Sequence, residues 1–107
     1  VMNETHSIVL SKPISETKNG IVLVFGRDGS YGLCSFFVPK AGVIAMNSGS
    51  WTFLMCTSLL DYVGAKTIII SNDLLSGHTE NDVTAKNPNS GITYHNEAFY
   101  LKYVYEV

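Results

Sequence analysis

Residues 98–107 read AFYLKYVYEV. Phe99, Leu101, Tyr103 and Tyr105 alternate with Tyr100, Lys102, Val104 and Glu106. A period of two is the mark of a strand, with one set of side chains inward and the other outward. This single stretch predicts a β protein, and the rest of the chain repeats its texture.

Short apolar runs rich in β-branched and aromatic residues recur, interrupted about every ten residues by Gly, Asn, Asp, Ser or Pro. They predict strands near 7–10 (SIVL), 20–26 (GIVLVFG), 31–38 (YGLCSFFV), 42–46 (GVIAM), 51–59 (WTFLMCTSL), 66–71 (KTIIIS), 91–95 (GITYH) and 98–107. Between them NG (19–20), RDGS (27–30), PKAG (39–42), NSGS (47–50) and NPNSG (87–91) carry turn chemistry. Residues 51–63 are ambiguous by periodicity; strand through Cys56, then a turn or short helix around Leu59–Asp61, is the reading adopted. The connections are too short for the helical crossovers of a parallel sheet. The expected fold is all-β: an antiparallel β-sandwich or barrel, Greek-key or jelly-roll-like, with one short helix at most. IVLVF and TIIIS are apolar on both faces, which predicts strands buried from both sides or a face covered by another subunit.

With 107 residues the chain makes one domain, 1–107, large enough to bury a core. Apolar residues at 46% and charged residues at 15% exclude intrinsic disorder. The net charge of −2, with scattered Lys and Arg, carries no footprint for nucleic acid or an anionic membrane. No apolar run reaches a transmembrane length, and no secretory signal is visible at the start, which reads like a piece of a longer chain. Cys34 and Cys56 lie in apolar runs and read as two buried thiols, with a disulfide as the alternative. No C-x-x-C or Cys/His cluster points to zinc.

Catalytic chemistry has little to work with. No G-x-S-x-G elbow accompanies His6, His78 or His95. The carboxylates Asp28, Asp61, Asp73, Glu80, Asp82 and Glu97 sit mostly in turns, where Asp serves local hydrogen bonding. His78, Glu80 and Asp82 are spaced two apart and would share one side of an extended segment, but match no metal motif. Neither a metal nor a cofactor is expected. Binding is better supported. The stretch 76–96, SGHTENDVTAKNPNSGITYHN, reads as a long exposed loop and turn rich in neutral donors, acceptors and rings. Such groups suit saccharides, whose hydroxyls bond to amides and carboxylates while their apolar faces lie on aromatics. Trp51, Tyr31, Tyr62, Tyr94 and Tyr100 are candidate platforms, although Trp51 also heads an apolar strand and reads as core.

Two stretches carry a resemblance. LSKPISETKNGIVLVFG (10–26) continues to SFFVPK (35–40), and KTIIISNDLLSGHTEN (66–81) is followed by NSGITYHNEAFYLKYVYEV (89–107). Together they resemble the C-terminal head domain of receptor-binding, tail-fibre and baseplate proteins of phages that infect Gram-positive bacteria. The shared features are an NGI-x-LVF strand, a VPK segment, a K-x-x-x-IS strand, a GH-x-x-N loop and a GI-x-Y-x-N entry to the last strand. Lys102 stands where that family often has Arg, and the Tyr-Glu-Val ending departs from its commoner form; residues 41–65 match least. The resemblance implies a non-enzymatic, homotrimeric β-rich head on the virion that binds host cell-wall polysaccharide. The expected ligand residues are Asn72, Asp73, His78, Glu80, Asn81 and Asp82, with Trp51, Tyr94 and His95 as aromatic partners and Arg27 and Asp28 as a second polar group. A ligand-free trimerisation or baseplate-docking module and a cell-wall glycan depolymerase are the alternatives.

Overall fold

The computed structural model describes residues 1–28, 32–57 and 62–107. Tyr31 and the 58–61 segment, with its expected turn or short helix and Asp61, lie outside them. The described chain forms nine strands: β1 (Ser7–Val9), β2 (Gly20–Gly26), β3 (Leu33–Pro39), β4 (Ser48–Thr57), β5 (Tyr62–Ser71), β6 (Leu74–Ser76), β7 (Thr84–Lys86), β8 (Thr93–His95) and β9 (Tyr100–Glu106). One helix, α1 (Lys40–Met46), follows β3. All pairings are antiparallel, in a sheet ordered β1-β6-β5-β4, a second ordered β3-β2-β9, and a small β7-β8 hairpin.

The two larger sheets face each other as a sandwich. Ile21, Leu23 and Phe25 of β2 and Val38 of β3 meet Phe53 and Met55 of β4, Ile68 and Ile70 of β5 and Leu75 of β6. Phe53 joins the layers, its ring 5.9 Å from that of Phe25 and 5.1 Å from that of Phe36. Fully burying side chains of this size contributes about 1.5–3 kcal/mol each, so this seam dominates the fold's stability. Along the β3/β4 side the sandwich is closed, and the Cys34 thiol donates to the Cys56 carbonyl at 3.0 Å. Cys34 is half-buried and its thiol pKa is pushed up by burial, whereas Cys56 faces solvent, so the expected pair of buried thiols is not found; both cysteines are free.

Two expectations are corrected. GVIAM, read as a strand, is the body of α1. A five-residue apolar run cannot separate strand from helix, and Ala and Met favour the helix. Pro39 starts it and Asn47, at φ +65°, ends it. Gly42 lets the helix sit on the Trp51 ring: a Cβ there would lie 2.9 Å from the indole edge.

The second correction concerns β9. Leu101 pairs with Phe25 and Tyr103 with Val24, so the register shifts by one residue and Lys102 is the extra residue of a bulge. The simple alternation puts Phe99, Leu101, Tyr103 and Tyr105 together. Instead Phe99 and Leu101 join the core, Val104 packs against it from opposite Leu23, and Tyr103 and Tyr105 turn outward opposite Val24 and Val22.

The polar stretch after β5 is ordered by hydrogen bonds, not left as a long loop. β6 pairs with β5 only at Ile69 and Ile70. The rest of that β5 edge is completed by side chains. Asn81 Oδ1 accepts from Thr67 N–H at 2.7 Å and Asn81 Nδ2 donates to Thr67 O at 2.7 Å, reproducing the two bonds of a strand neighbour. Two residues along, Asn96 Oδ1 accepts from Ala65 N–H at 2.8 Å.

Candidate ligand-binding site

The 77–82 turn, which contributes four of the expected ligand residues, is bound to the fold's own backbone. Gly77 packs so closely on the carbonyls of Met2 and Asn3 that no side chain fits there. His78 caps the 3-10 turn Thr79–Asp82, its Nδ1 accepting from Glu80 N–H at 3.1 Å, and its own N–H donates to Met2 O at 3.0 Å. Asn81 is buried, and beyond its two bonds to Thr67 its Nδ2 donates to Met2 O at 2.7 Å. An amide so committed has little left for a ligand. Glu80 and Asp82 are exposed; the Glu80 carbonyl accepts from Asn96 Nδ2 at 2.9 Å, and Asp82 Oδ2 takes a 3.4 Å contact from Asn3 Nδ2.

Under this turn lies the most unusual group of the core. Lys66 points inward opposite Phe53, fully buried. Its Nζ donates to Asn81 O at 2.6 Å and Val1 O at 3.0 Å. Burial lowers its pKa from 10.5 to about 8, while Asp82 and Glu97 hold it up in part. KTIIIS reads as an apolar strand, and only the odd presence of a lysine on its inward parity could have flagged this residue.

Asn72 and Asp73, in the β5–β6 turn, are apart from that group. The Asn72 side chain clasps the 3-10 turn Ile14–Glu16, accepting from Ser15 N–H at 2.8 Å and donating to Ser15 Oγ at 3.0 Å. The Asp73 carbonyl accepts from Leu10 N–H. Beside Asn72 a shallow hollow of about 270 Å³ opens between Ser15, Ile44 and Asn47. Trp51 is half-buried beneath α1, with its indole N–H buried and without a hydrogen-bond partner. The edge of its ring lies against Gly42 of α1.

At the opposite end of β5 the structure brings three further candidates together. The Arg27 guanidinium lies 3.9 Å from the centre of the Tyr62 ring, and the His95 imidazole stacks on that ring at 4.2 Å and 10°. His95 Nδ1 is 3.5 Å from Glu97 Oε1. Next to Arg27, Asp28 pairs with Lys102 at 3.6 Å, and the Lys102 ammonium stands over Tyr100. Such a stack fixes the end of the sandwich, and Tyr62, already carrying two planar groups, has no free platform. Tyr94 is half-buried in β8, opposite Ala85.

The exposed aromatics lie elsewhere. Tyr103 and Tyr105, 53% and 52% exposed, stack on each other at 5.9 Å and 20°. They share the outer face of the second sheet with Leu33 and Phe37, also more than half exposed, and with Val22 and Val24. Beside β9 the sandwich is open, and a cleft of about 550 Å³ separates β1 and the following Leu10–Lys12 from Val104, Tyr105 and Glu106. Lys12 and Glu106 pair across it at 3.6 Å, both about half exposed. None of these residues is among the sequence candidates; the bulge at Lys102 is what turns the tyrosines out, and nothing local in the sequence announces it. Among the described residues no group of three or more His, Cys, Asp or Glu is placed to hold a metal ion.

Comparison with protein-family models, curated proteins and solved structures returned no match. The functional reading therefore stands on the motifs and the geometry.

Proposed function

We propose that this protein is a non-catalytic attachment domain: a saccharide-binding head of a phage receptor-binding or tail-fibre protein, displayed at the virion's tail tip or baseplate as a homotrimer. The observation that carries the reading is the outer face of β3-β2-β9. Two stacked, half-exposed tyrosines stand on a rigid strand beside a polar-rimmed cleft, which is how a protein offers ring faces and hydrogen bonds to a sugar. The motif resemblance supplies the ligand class, host cell-wall polysaccharide, and the assembly. Weak single sites multiplied over several heads would give firm attachment.

Isothermal titration with cell-wall polysaccharides of Gram-positive bacteria, run beside a reducing-sugar release assay, tests this. Saturable binding without release supports attachment, release of sugar ends points to a depolymerase, and no binding by the assembled protein sinks the reading. A second reading, a trimerisation or docking module, is favoured by one feature. Leu33 and Phe37, with the partly exposed Val22, form an apolar strip that suits a subunit contact as well as a ligand.

A further inference from the structure

We infer that the cleft between β1 and β9 is the saccharide subsite, and that it takes a neutral pyranose presenting a free vicinal diol. This rests on the attachment reading above and adds to it a place and a ligand chemistry. The cleft's volume, about 550 Å³, lies within the range of about 300–1,000 Å³ typical of small-molecule sites. Its floor is apolar, from Ile8, Ile21 and Val104, as the ring face of a sugar requires.

The mouth decides the chemistry. Lys12 Nζ and Glu106 Oε2 stand 3.6 Å apart, exposed enough to exchange partners. An ammonium only donates and a carboxylate only accepts. A hydroxyl does both, so two adjacent ring hydroxyls can accept from Lys12 and donate to Glu106 without breaking the local charge balance. An anionic sugar would gain Lys12 but meet Glu106, and an amino sugar's ammonium would gain Glu106 but meet Lys12, so neither charge gains a net advantage over a neutral diol that uses both. Tyr105, half exposed at the lip where the cleft meets the outer face, is placed to take the next ring of a chain, with Tyr103 beyond it. A surface ion pair contributes little to folding, so its replacement tests binding without unfolding the domain.

The test is titration of the folded protein with purified Gram-positive cell-wall polysaccharide, intact and after periodate oxidation, which cleaves vicinal diols. The variants are Lys12→Met, Glu106→Gln and Tyr105→Ala, with Lys86→Met, at an exposed position of β7 outside the cleft, as a control. Periodate treatment and each cleft variant should weaken binding about tenfold or more, and the control should leave it unchanged. If polysaccharide binds all cleft variants as it binds the wild type, the subsite is wrong while attachment stands. If oxidised polysaccharide binds as well as intact, the diol assignment is wrong. If no intact polysaccharide binds, the attachment reading falls and the subsite with it.

Discussion

The polar turn 77–82 and the outer strand β9 exchange the roles their compositions advertise. The turn has histidine, acids and amides, the usual vocabulary of a binding site, yet its most central residue, Asn81, is buried and engaged at both ends of its amide. β9 is aromatic and aliphatic, the vocabulary of a core, yet two of its tyrosines stand half exposed beside a cleft. The difference teaches that a polar side chain's meaning depends on what backbone lacks a partner nearby. The unpaired edge of β5 needs donors and acceptors, and Asn81 and Asn96 supply them; buried peptide groups left without partners cost about 1–3 kcal/mol each.

The sharpest way to break this contrast is Asn81→Ala. It removes bonds to Thr67 N–H, Thr67 O and Met2 O, and leaves the Asn81 carbonyl that accepts from Lys66 in place. Urea unfolding should show a loss of about 3 kcal/mol or more. Saccharide affinity of the folded fraction should not change. A variant of normal stability with lost binding would return the turn to the ligand.

How much of this was legible follows from which physics acts locally. Turn chemistry did: NPNSG is a turn between β7 and β8, with Asn87 Oδ1 taking the N–H groups of Asn89 and Ser90 and Gly91 at φ +74°. β2 sits on the residues where GIVLVFG was read, because a strand buried between two neighbours is continuous in sequence as well. The motifs GH-x-x-N and GI-x-Y-x-N were visible, but their meaning was not. Gly77, Asn81 and Asn96 act on backbone that lies far away in the chain, at Met2, Thr67 and Ala65. The bulge at Lys102 is likewise set by the partner strand, so the exposure of Tyr103 and Tyr105 could not be read from alternation.

Lys66 gives the next largest effect, in pH. Its pKa in the folded protein, about 8, is below the 10.5 of an unperturbed lysine. Between those values the unfolded chain binds more protons, so stability rises with pH from about 8 to about 10.5. Below about 8 the group is charged in both states and the cost of burying it is fully present. Thermal unfolding across this window should show the rise in wild type, and Lys66→Met should flatten it. A wild-type profile falling through the same window would mean the ammonium is better solvated than its burial implies.

A smaller effect is expected at Asn72. Asn72→Ala removes the clasp on Ser15, two hydrogen bonds at a solvent-exposed turn, and should cost about 1 kcal/mol, with sugar binding intact. It separates polar groups that hold a turn from those that hold a sheet edge.

The smallest stability change belongs to the region that we propose does most of the work. Phe37→Ser removes a ring that is 55% exposed and opposite Val22 on the outer face. Its effect on unfolding should stay within about 0.5 kcal/mol, since surface substitutions away from packed features rarely exceed that. What should move is mass in solution: if the outer face joins subunits, light scattering will show the assembly weakened by a variant that folds normally. If assembly persists while sugar binding falls, the strip belongs to the ligand and the subunit contact lies elsewhere. Either result assigns the face by function, because losing an exposed ring changes what the sheet can touch far more than how firmly it folds.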